Sequence, residues 1–155
     1  MSSIQIRQAV LEDWPVIAAA NSALAAETEG KQLSPQKLEP GVRAALLDER
    51  KAQYYVAVIE ARVVGQVMFT REWSDWRNGD IWWLQSVYVQ PDFRGRGVFR
   101  ALYEHLYRVA AADDSVVGLR LSVERENECA QRTYHKLGMT MPGYYVMEAL
   151  FDADK

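Results

Sequence analysis

The 155-residue sequence predicts one α/β domain, a mixed sheet with helices packed on its faces. Nearly half of the residues are apolar, and this length suits one core, so we expect a single domain over residues 1–155. Apolar residues alternate in some segments and recur at helical spacing in others. Their order along the chain is strand, two helices, three strands, helix, strand, helix, strand, which predicts six strands and four helices.

The first third of the chain contains one predicted strand and two predicted helices. Alternation predicts a strand at 4–9, and Asp13-Trp14-Pro15 is typical of a helix start, with the helix running to about residue 26. Ser34-Pro35 repeats this signal for a second helix. We expect Pro40-Gly41 to break or kink that helix.

Three consecutive strands follow. Segments 54–59 and 63–73 are rich in β-branched and aromatic residues and predict a hairpin, with the next turn at 74–79. Segment 81–89 is apolar on both faces, as in a central strand covered on both sides. Gln85 and Ser86 are its polar exceptions.

The last third alternates helices and strands. Beyond the loop at 91–97, helical spacing from Val98 to Val109 predicts the third helix, and 116–123 reads as a strand. A fourth helix is expected over 127–137, ended by Gly138. The final predicted strand covers 144–150.

Composition narrows the classes of function. The net charge of −3 gives no general affinity for nucleic acid or for an anionic membrane, and no apolar stretch is long enough to span a bilayer. The N-terminus lacks the pattern of a secretion signal. The single cysteine, Cys129, has no disulfide partner and no neighbouring zinc ligands. We therefore expect a cytoplasmic protein without a metal.

The loop between the central strand and the third helix is the strongest candidate site. Its segment 91–100 carries two glycines and three arginines against one acid. Such a turn directs backbone N–H groups and a helix dipole at one place, which favours a phosphate or pyrophosphate. An ordinary strand-to-helix turn with solvated arginines is the alternative.

Two motifs in this sequence resemble the GNAT superfamily of N-acetyltransferases. Arg94-Gly95-Arg96-Gly97-Val98 matches the family's cofactor motif, although Phe99 stands where the family usually has Gly or Ala. Further along, the positions of the family's Asn-x-x-Ala-x-x-x-Tyr-x-x-x-Gly helix are also matched. That match consists of Asn127, Ala130, Tyr134 and Gly138.

The resemblance implies a fold, a cofactor and a set of contacts. It implies a mostly antiparallel mixed sheet of six to seven strands with about four helices, and acetyl-coenzyme A as cosubstrate. The arm of the cofactor would add to a strand through backbone groups, and its pyrophosphate would lie on the loop. The implied cofactor-binding residues are Val87, Tyr88, Val89, Arg94, Gly95, Arg96, Gly97, Val98, Phe99, Arg100, Asn127, Ala130 and Tyr134.

Catalysis by direct attack needs an acid and a base. The resemblance assigns Tyr134 as the general acid that protonates the departing thiolate. Small-amine acetyltransferases often place a Glu where this chain has Gln85, and an amide cannot accept a proton. We therefore expect a water relay near Gln85 and Ser86. Glu27, Glu29, Asp75 and Asp80 are alternative bases, although solvated surface positions explain them as well.

The acceptor is the least determined part of the prediction. Glu29, Trp73 and Trp76 are the candidate substrate-binding residues. The acceptor is predicted to be a small-molecule amine or, alternatively, the amine of a peptide or protein N-terminus. A non-catalytic acyl-coenzyme A binding module is the competing class. A homodimer formed through Tyr144 and Tyr145 is one expectation, and burial of both rings in the core is the alternative.

Overall fold

The computed structural model describes residues 3–151. Their contacts divide them into two units, the first ending at Ser122 and the second beginning at Val123. Residues 1–2 and 152–155 of the predicted single domain lie outside the described part. The assignment of all 155 residues to one domain stays a prediction.

From β1 to α4, the helices and strands follow the order that the periodicity predicted. The first unit contains β1 Gln5–Gln8, α1 Trp14–Glu29, α2 Pro35–Leu47, β2 Gln53–Ile59, β3 Arg62–Ser74, β4 Gly79–Val89, α3 Val98–Ala111 and β5 Val116–Leu121. Short 3-10 turns precede α1 at Leu11–Asp13 and follow β4 at Pro91–Phe93. The second unit contains α4 Glu128–Lys136.

The strands form one mixed sheet in the order β1-β2-β3-β4-β5. The first four run antiparallel, and β5 lies parallel to β4. A two-residue turn joins β2 to β3, because Glu60 and Ala61 adopt φ of 50° and 63° and so match the twist of a hairpin. A parallel partner needs a crossover, which α3 provides. The predicted mixed, mostly antiparallel sheet is confirmed.

Helices cover both faces of this sheet. Tyr54 and Val56 of β2 pack with Ile17 of α1 and Val42 of α2. Tyr55 points to the opposite face, since neighbouring strand residues alternate, and its ring lies 5.3 Å from that of His105 on α3. His105 is therefore half-buried against the sheet.

Close packing fixes α3 over the sheet. Leu102 and Leu106 of α3 are fully buried, and Val98 at its start is nearly so. A Cβ on Gly65 of β3 would come within 2.7 Å of Val98 Cγ1, so only glycine allows the two elements to approach this closely. This contact holds the beginning of α3 at the end of β4.

One predicted strand is absent, and one expected helix break does not occur. Segment 144–150 forms no strand, so the described residues contain five strands rather than six or seven. Alternation shows only that a segment suits a pleat, and a strand also needs a hydrogen-bonded partner. Pro40 does not break α2, which continues from Pro35 to Leu47, since proline removes a single helical bond, to the exposed Gln36 in the first turn.

Candidate active site

Strands β4 and β5 separate partway along the sheet. Their pairing ends where Leu84 lies opposite Leu121, but β4 continues to Val89. From Gln85 onward, the β4 backbone on this side has no strand partner among residues 3–151. Val87, Tyr88 and Val89, the predicted contacts of the cofactor arm, belong to this stretch.

A β-bulge interrupts β4 at the same point. On β3, Gln66 pairs with Tyr88 and Met68 pairs with Gln85, so Ser86 and Val87 together oppose Val67. Ser86 adopts a left-handed φ of 50°. A bulge shifts the alternation of side chains and increases the local twist.

The separation opens a cleft of about 540 Å³. It is lined by Glu29, Trp83, Leu84, Gln85, Ser86 and Ser122. Gln85 and Ser86 both line it because the bulge breaks the alternation that would send neighbours to opposite faces. The structure thus brings together Glu29, Gln85 and Ser86, three of the residues singled out in the sequence.

Hydrogen bonds fix several side chains around this cleft. Gln85 Nε2 donates to Thr70 Oγ1 over 2.6 Å. Trp83 Nε1 donates to Glu72 Oε2 over 3.2 Å, and Glu72 also binds Arg120 at 3.1 Å. Glu29 approaches Lys31 only at 4.0 Å on the surface, so its carboxylate remains open to solvent. The cleft therefore has an anionic side chain on a polar wall.

The aromatic residue that lines the cleft is not one of those expected. Trp73 and Trp76 lie exposed at the end of the β3–β4 hairpin and are absent from the lining, whereas Trp83 belongs to it. The sequence analysis did not single out Trp83, which belongs to the strand expected to be covered on both faces. It also missed Ser122, although a polar residue just after a parallel strand is a known signal for a binding site.

The predicted phosphate loop has the backbone that its glycines imply. Gly95 and Gly97 have φ of 75° and 79°, and a Cβ on either would point into open space. Helix α3 begins directly afterwards at Val98, and its first N–H groups have no intrahelical partner. The side chain of Phe99, the departure from the family motif, has its ring centre 6.2 Å from that of Tyr103 on the same helix.

Arg94 at the start of this loop is tied to α1. Its Nη2 contacts Glu27 Oε2 at 2.8 Å, and its Nε donates to Val89 O at 2.9 Å. Tyr88 Oη donates to the other Glu27 oxygen at 3.1 Å. The hydrogen bond from Arg94, with that from Tyr88, holds the pKa of Glu27 below its usual range. Glu27 is thus engaged as an ion-pair partner and is a poor candidate for a base.

The other two arginines of the loop differ in their partners. Arg100 pairs with Glu104 one turn along α3, at 2.8 Å. Arg96 lies 5.1 Å from the centre of the Phe93 ring and has no carboxylate partner within residues 3–151. Positive charge at the loop is therefore compensated at Arg94 and Arg100 but not at Arg96.

The second motif forms helix α4 of the second unit. Asn127 is its N-cap, where the side-chain oxygen accepts from Ala130 N at 3.1 Å. Tyr134 lies two turns further on the same face. Burial raises the pKa of Tyr134 above that of an ordinary phenol. Gly138 takes a φ of 94° just past the helix end.

Neither a metal cluster nor a membrane span is found between residues 3 and 151. No three His, Cys, Asp or Glu side chains are grouped so as to hold an ion. No helix combines the length and the apolar character needed to cross a bilayer.

Comparisons with known proteins agree with the two motifs. The model of the acetyltransferase (GNAT) family matches residues 10–139. A possible acetyltransferase from Clostridium difficile 630 superposes with a TM-score of 0.90 at 45% identity, covering 96% of this chain and 98% of that one.

Two named relatives carry information about acceptors. The L-methionine sulfoximine/L-methionine sulfone acetyltransferase of Pseudomonas paraeruginosa is 29% identical over 91% of this chain and 83% of its own length. Streptothricin acetyltransferase of Escherichia coli is 25% identical over 74% of this chain. That match spans 64% of the streptothricin enzyme, less than two thirds of it.

Proposed function

Because this chain belongs to the acetyltransferase (GNAT) family, we propose that it moves the acetyl group of acetyl-coenzyme A to the primary amine of a small molecule. One observation carries the proposal. Where β4 and β5 part, the bulged β4 backbone and the carboxylate of Glu29 border the same cleft. A free strand edge suits a chain of amides, and a carboxylate suits an ammonium group.

The first unit supplies a cradle that fits the cofactor. The left-handed glycines keep side chains away from the loop, and the first N–H groups of α3 point at its open side. Residues 94–100 would hold the pyrophosphate, with Arg96 the arginine most available to it. Val87, Tyr88 and Val89 would hold the pantetheine arm through their backbone. When bound, acetyl-coenzyme A supplies the thioester whose carbonyl carbon the amine attacks.

Glu29 is proposed to bind the acceptor. Its exposed carboxylate attracts the cationic amine to the cleft and accepts a proton from it, directly or through water held by Gln85 and Ser86. This step is needed because an alkylamine with a pKa near ~10.4 is almost entirely protonated at neutral pH. Glu27 cannot share this role, since Arg94 and Tyr88 already occupy its oxygens.

Tyr134 is proposed as the general acid, with Asn127 and Ala130 as further cofactor contacts. The support is its position in the second motif, at i+7 from the N-cap Asn127 on the same helix face. An ordinary phenol has a pKa near ~10 and a thiol near ~8.5, and burial raises the pKa of Tyr134 further, so a proton would pass to the departing sulfur only within a direct hydrogen bond. A positioned acid contributes roughly 10²–10⁴ in rate.

A small-molecule acceptor is favoured over a peptide by two considerations. The names of both relatives identify small molecules as their acceptors. The cleft also has a volume of about 540 Å³, within the range of sites for metabolite-sized or drug-sized ligands.

Titration calorimetry with acetyl-coenzyme A, followed by thiol release across a panel of amines, tests the proposal. We expect binding by all variants and release that falls about 10²-fold or more in Tyr134→Phe. Glu29→Gln should raise KM for the amine more than it lowers kcat. Tyr107→Phe, an exposed tyrosine of α3, is the matched control and should behave as the wild type.

The pattern of results separates the competing classes. Binding without release on any amine would favour an acyl-coenzyme A binding module over an enzyme. Release with peptides but not with small amines would replace the proposed acceptor. Absence of acetyl-coenzyme A binding would contradict the assignment of residues 94–100 as the phosphate loop.

A further inference from the structure

Three buried polar side chains, two amides and a phenol, form a hydrogen-bonded group next to the bulge of β4. Gln66 on β3 is only 2% exposed, although its side chain is polar. It belongs to neither family motif. Asn21 on α1 and Tyr54 on β2 are buried beside it. Polar side chains are rarely placed in a core unless their hydrogen bonds have a purpose or a partner.

These three side chains form one hydrogen-bonded chain that ends on the bulge. Gln66 Nε2 donates to Asn21 Oδ1 at 2.8 Å and to the backbone oxygen of Ser86 at 3.0 Å. Asn21 Nδ2 in turn donates to Tyr54 Oη at 3.0 Å. Both N–H groups of the Gln66 amide are used, and one of them holds the residue that bends the strand.

Ser86 needs such support. Its φ of 50° lies in the left-handed region, which a residue with a Cβ adopts at a cost and which glycine adopts freely. The ladder passes from the Gln66–Tyr88 pair to the Met68–Gln85 pair, so the bulge leaves the regular strand-to-strand pattern at Ser86. Where the bulge interrupts the regular hydrogen bonds between the strands, the buried side-chain N–H of Gln66 donates to the Ser86 carbonyl instead.

We infer that Gln66 is a positioning residue, whose buried side-chain amide holds the Ser86 carbonyl and so fixes the β4 bulge that shapes the cleft. The bulge puts both Gln85 and Ser86 on the cleft wall and turns the following backbone toward the freed edge. The consequence for activity rests on the proposed function. The consequence for the backbone of β4 does not.

Hydrogen exchange tests the structural half without any assay of activity. Gln66→Met keeps the length and apolar stem but removes both donors, and we expect backbone amides of residues 85–89 to exchange about tenfold faster or more. Tyr54→Phe disturbs the far end of the same chain and should leave these amides within about twofold of wild type. Equal protection of residues 85–89 in Gln66→Met and wild type would overturn the inference.

A glycine rescue tests the catalytic half. In a Ser86→Ala background, Gln66→Met should lower kcat/KM for acetyl-coenzyme A about tenfold, because the bulge places both the cleft wall and the strand edge proposed to hold the cofactor arm. In a Ser86→Gly background the same change should cost less than about twofold, because glycine holds the left-handed conformation unaided. A merely structural glutamine would cost the same in both backgrounds, and that result would also overturn the inference.

Two further arms keep the outcome unambiguous. If Gln66→Met does not fold, the triple variant Gln66→Met, Asn21→Leu and Tyr54→Phe removes all three buried polar groups together, so that none of them loses its partner alone. If the wild type releases no thiol with any amine, the proposed function fails, and the exchange comparison alone then decides the role of Gln66.

Discussion

The two ends of α1 carry the same chemical pair in opposite settings. At its start, Asp13 meets Arg7 through two hydrogen bonds of 2.8 and 3.0 Å. Near its end, Glu27 meets Arg94 at 2.8 Å. The Asp13 side chain is 11% exposed, whereas that of Glu27 is 42% exposed. Contact distance therefore does not distinguish the pairs, but access to solvent does.

Their surroundings assign them different tasks. Asp13 also accepts from Val10 N at 2.8 Å, so this pair ties β1 to the turn that begins α1. Glu27 instead joins α1 to Tyr88 and to the first residue of the phosphate loop. A covered pair contributes to folding, and an exposed pair contributes little stability but leaves its arginine within reach of a ligand.

Neutralising the covered carboxylate gives the largest expected effect. Asp13→Asn should lower the free energy of unfolding by about 2 kcal/mol, less than a fully buried pair because Arg7 is partly exposed. The melting temperature should fall by about 4–8 °C in a domain of this size. Glu27→Gln is the matched control and should change the melting temperature by less than about 2 °C. Equal losses of stability in the two variants would contradict the distinction between the covered pair and the exposed pair.

Truncating Arg94, the arginine of the exposed pair, should weaken cofactor binding and leave stability almost unchanged. We expect Arg94→Ala to raise Kd for coenzyme A about tenfold by calorimetry, since a charge-assisted contact to phosphate is lost, with little change in stability. Arg7→Ala should destabilise the fold and leave Kd unchanged at a temperature where the protein is folded. A normal Kd in Arg94→Ala would show that the loop binds through its backbone and Arg96 alone.

The exposed carboxylate itself should oppose the cofactor. Glu27→Gln removes a negative charge that competes with phosphate for Arg94, while Val89 O and the Tyr88 ring still hold that arginine. Kd for coenzyme A should therefore fall about threefold at low salt, and the gain should vanish near ~1 M salt, where screening is short-ranged. Weaker binding in this variant would mean that Glu27 positions Arg94 rather than competing for it.

Much of the fold could be predicted because it depends on local signals. Helix starts at Pro15 and Pro35, the turn after Ile59 and the apolar faces of β4 all come from neighbours within a few residues. The absent strand at 144–150 and the half-buried His105 could not be predicted, because a strand partner and a packing surface come from distant parts of the chain.

The candidate site divides in the same way. The glycines of the phosphate loop could be predicted because left-handed backbone conformations favour glycine. The pair of Glu27 with Arg94 joins residues 67 apart, and Gln66 reaches Ser86 across 20 residues, so neither leaves a local pattern. One signal did exist for the bulge, since Gln85 and Ser86 interrupt an otherwise apolar strand.

The smallest expected effect is the acid dependence of the covered pair. The hydrogen bond from Arg7 holds the pKa of Asp13 below its usual range, despite the opposing effect of burial. Its contribution is therefore complete above the unfolded value near ~3.9 and is lost as pH falls through the lower folded value. Urea unfolding at pH 6, 4 and 3 should show the difference between wild type and Asp13→Asn shrinking in that order. The corresponding difference for Glu27→Gln should stay small throughout, because solvent screens that pair. A difference for Asp13→Asn that stayed constant down to pH 3 would mean that the variant loses packing rather than charge, and the comparison between the two ends of α1 would then rest on shape alone.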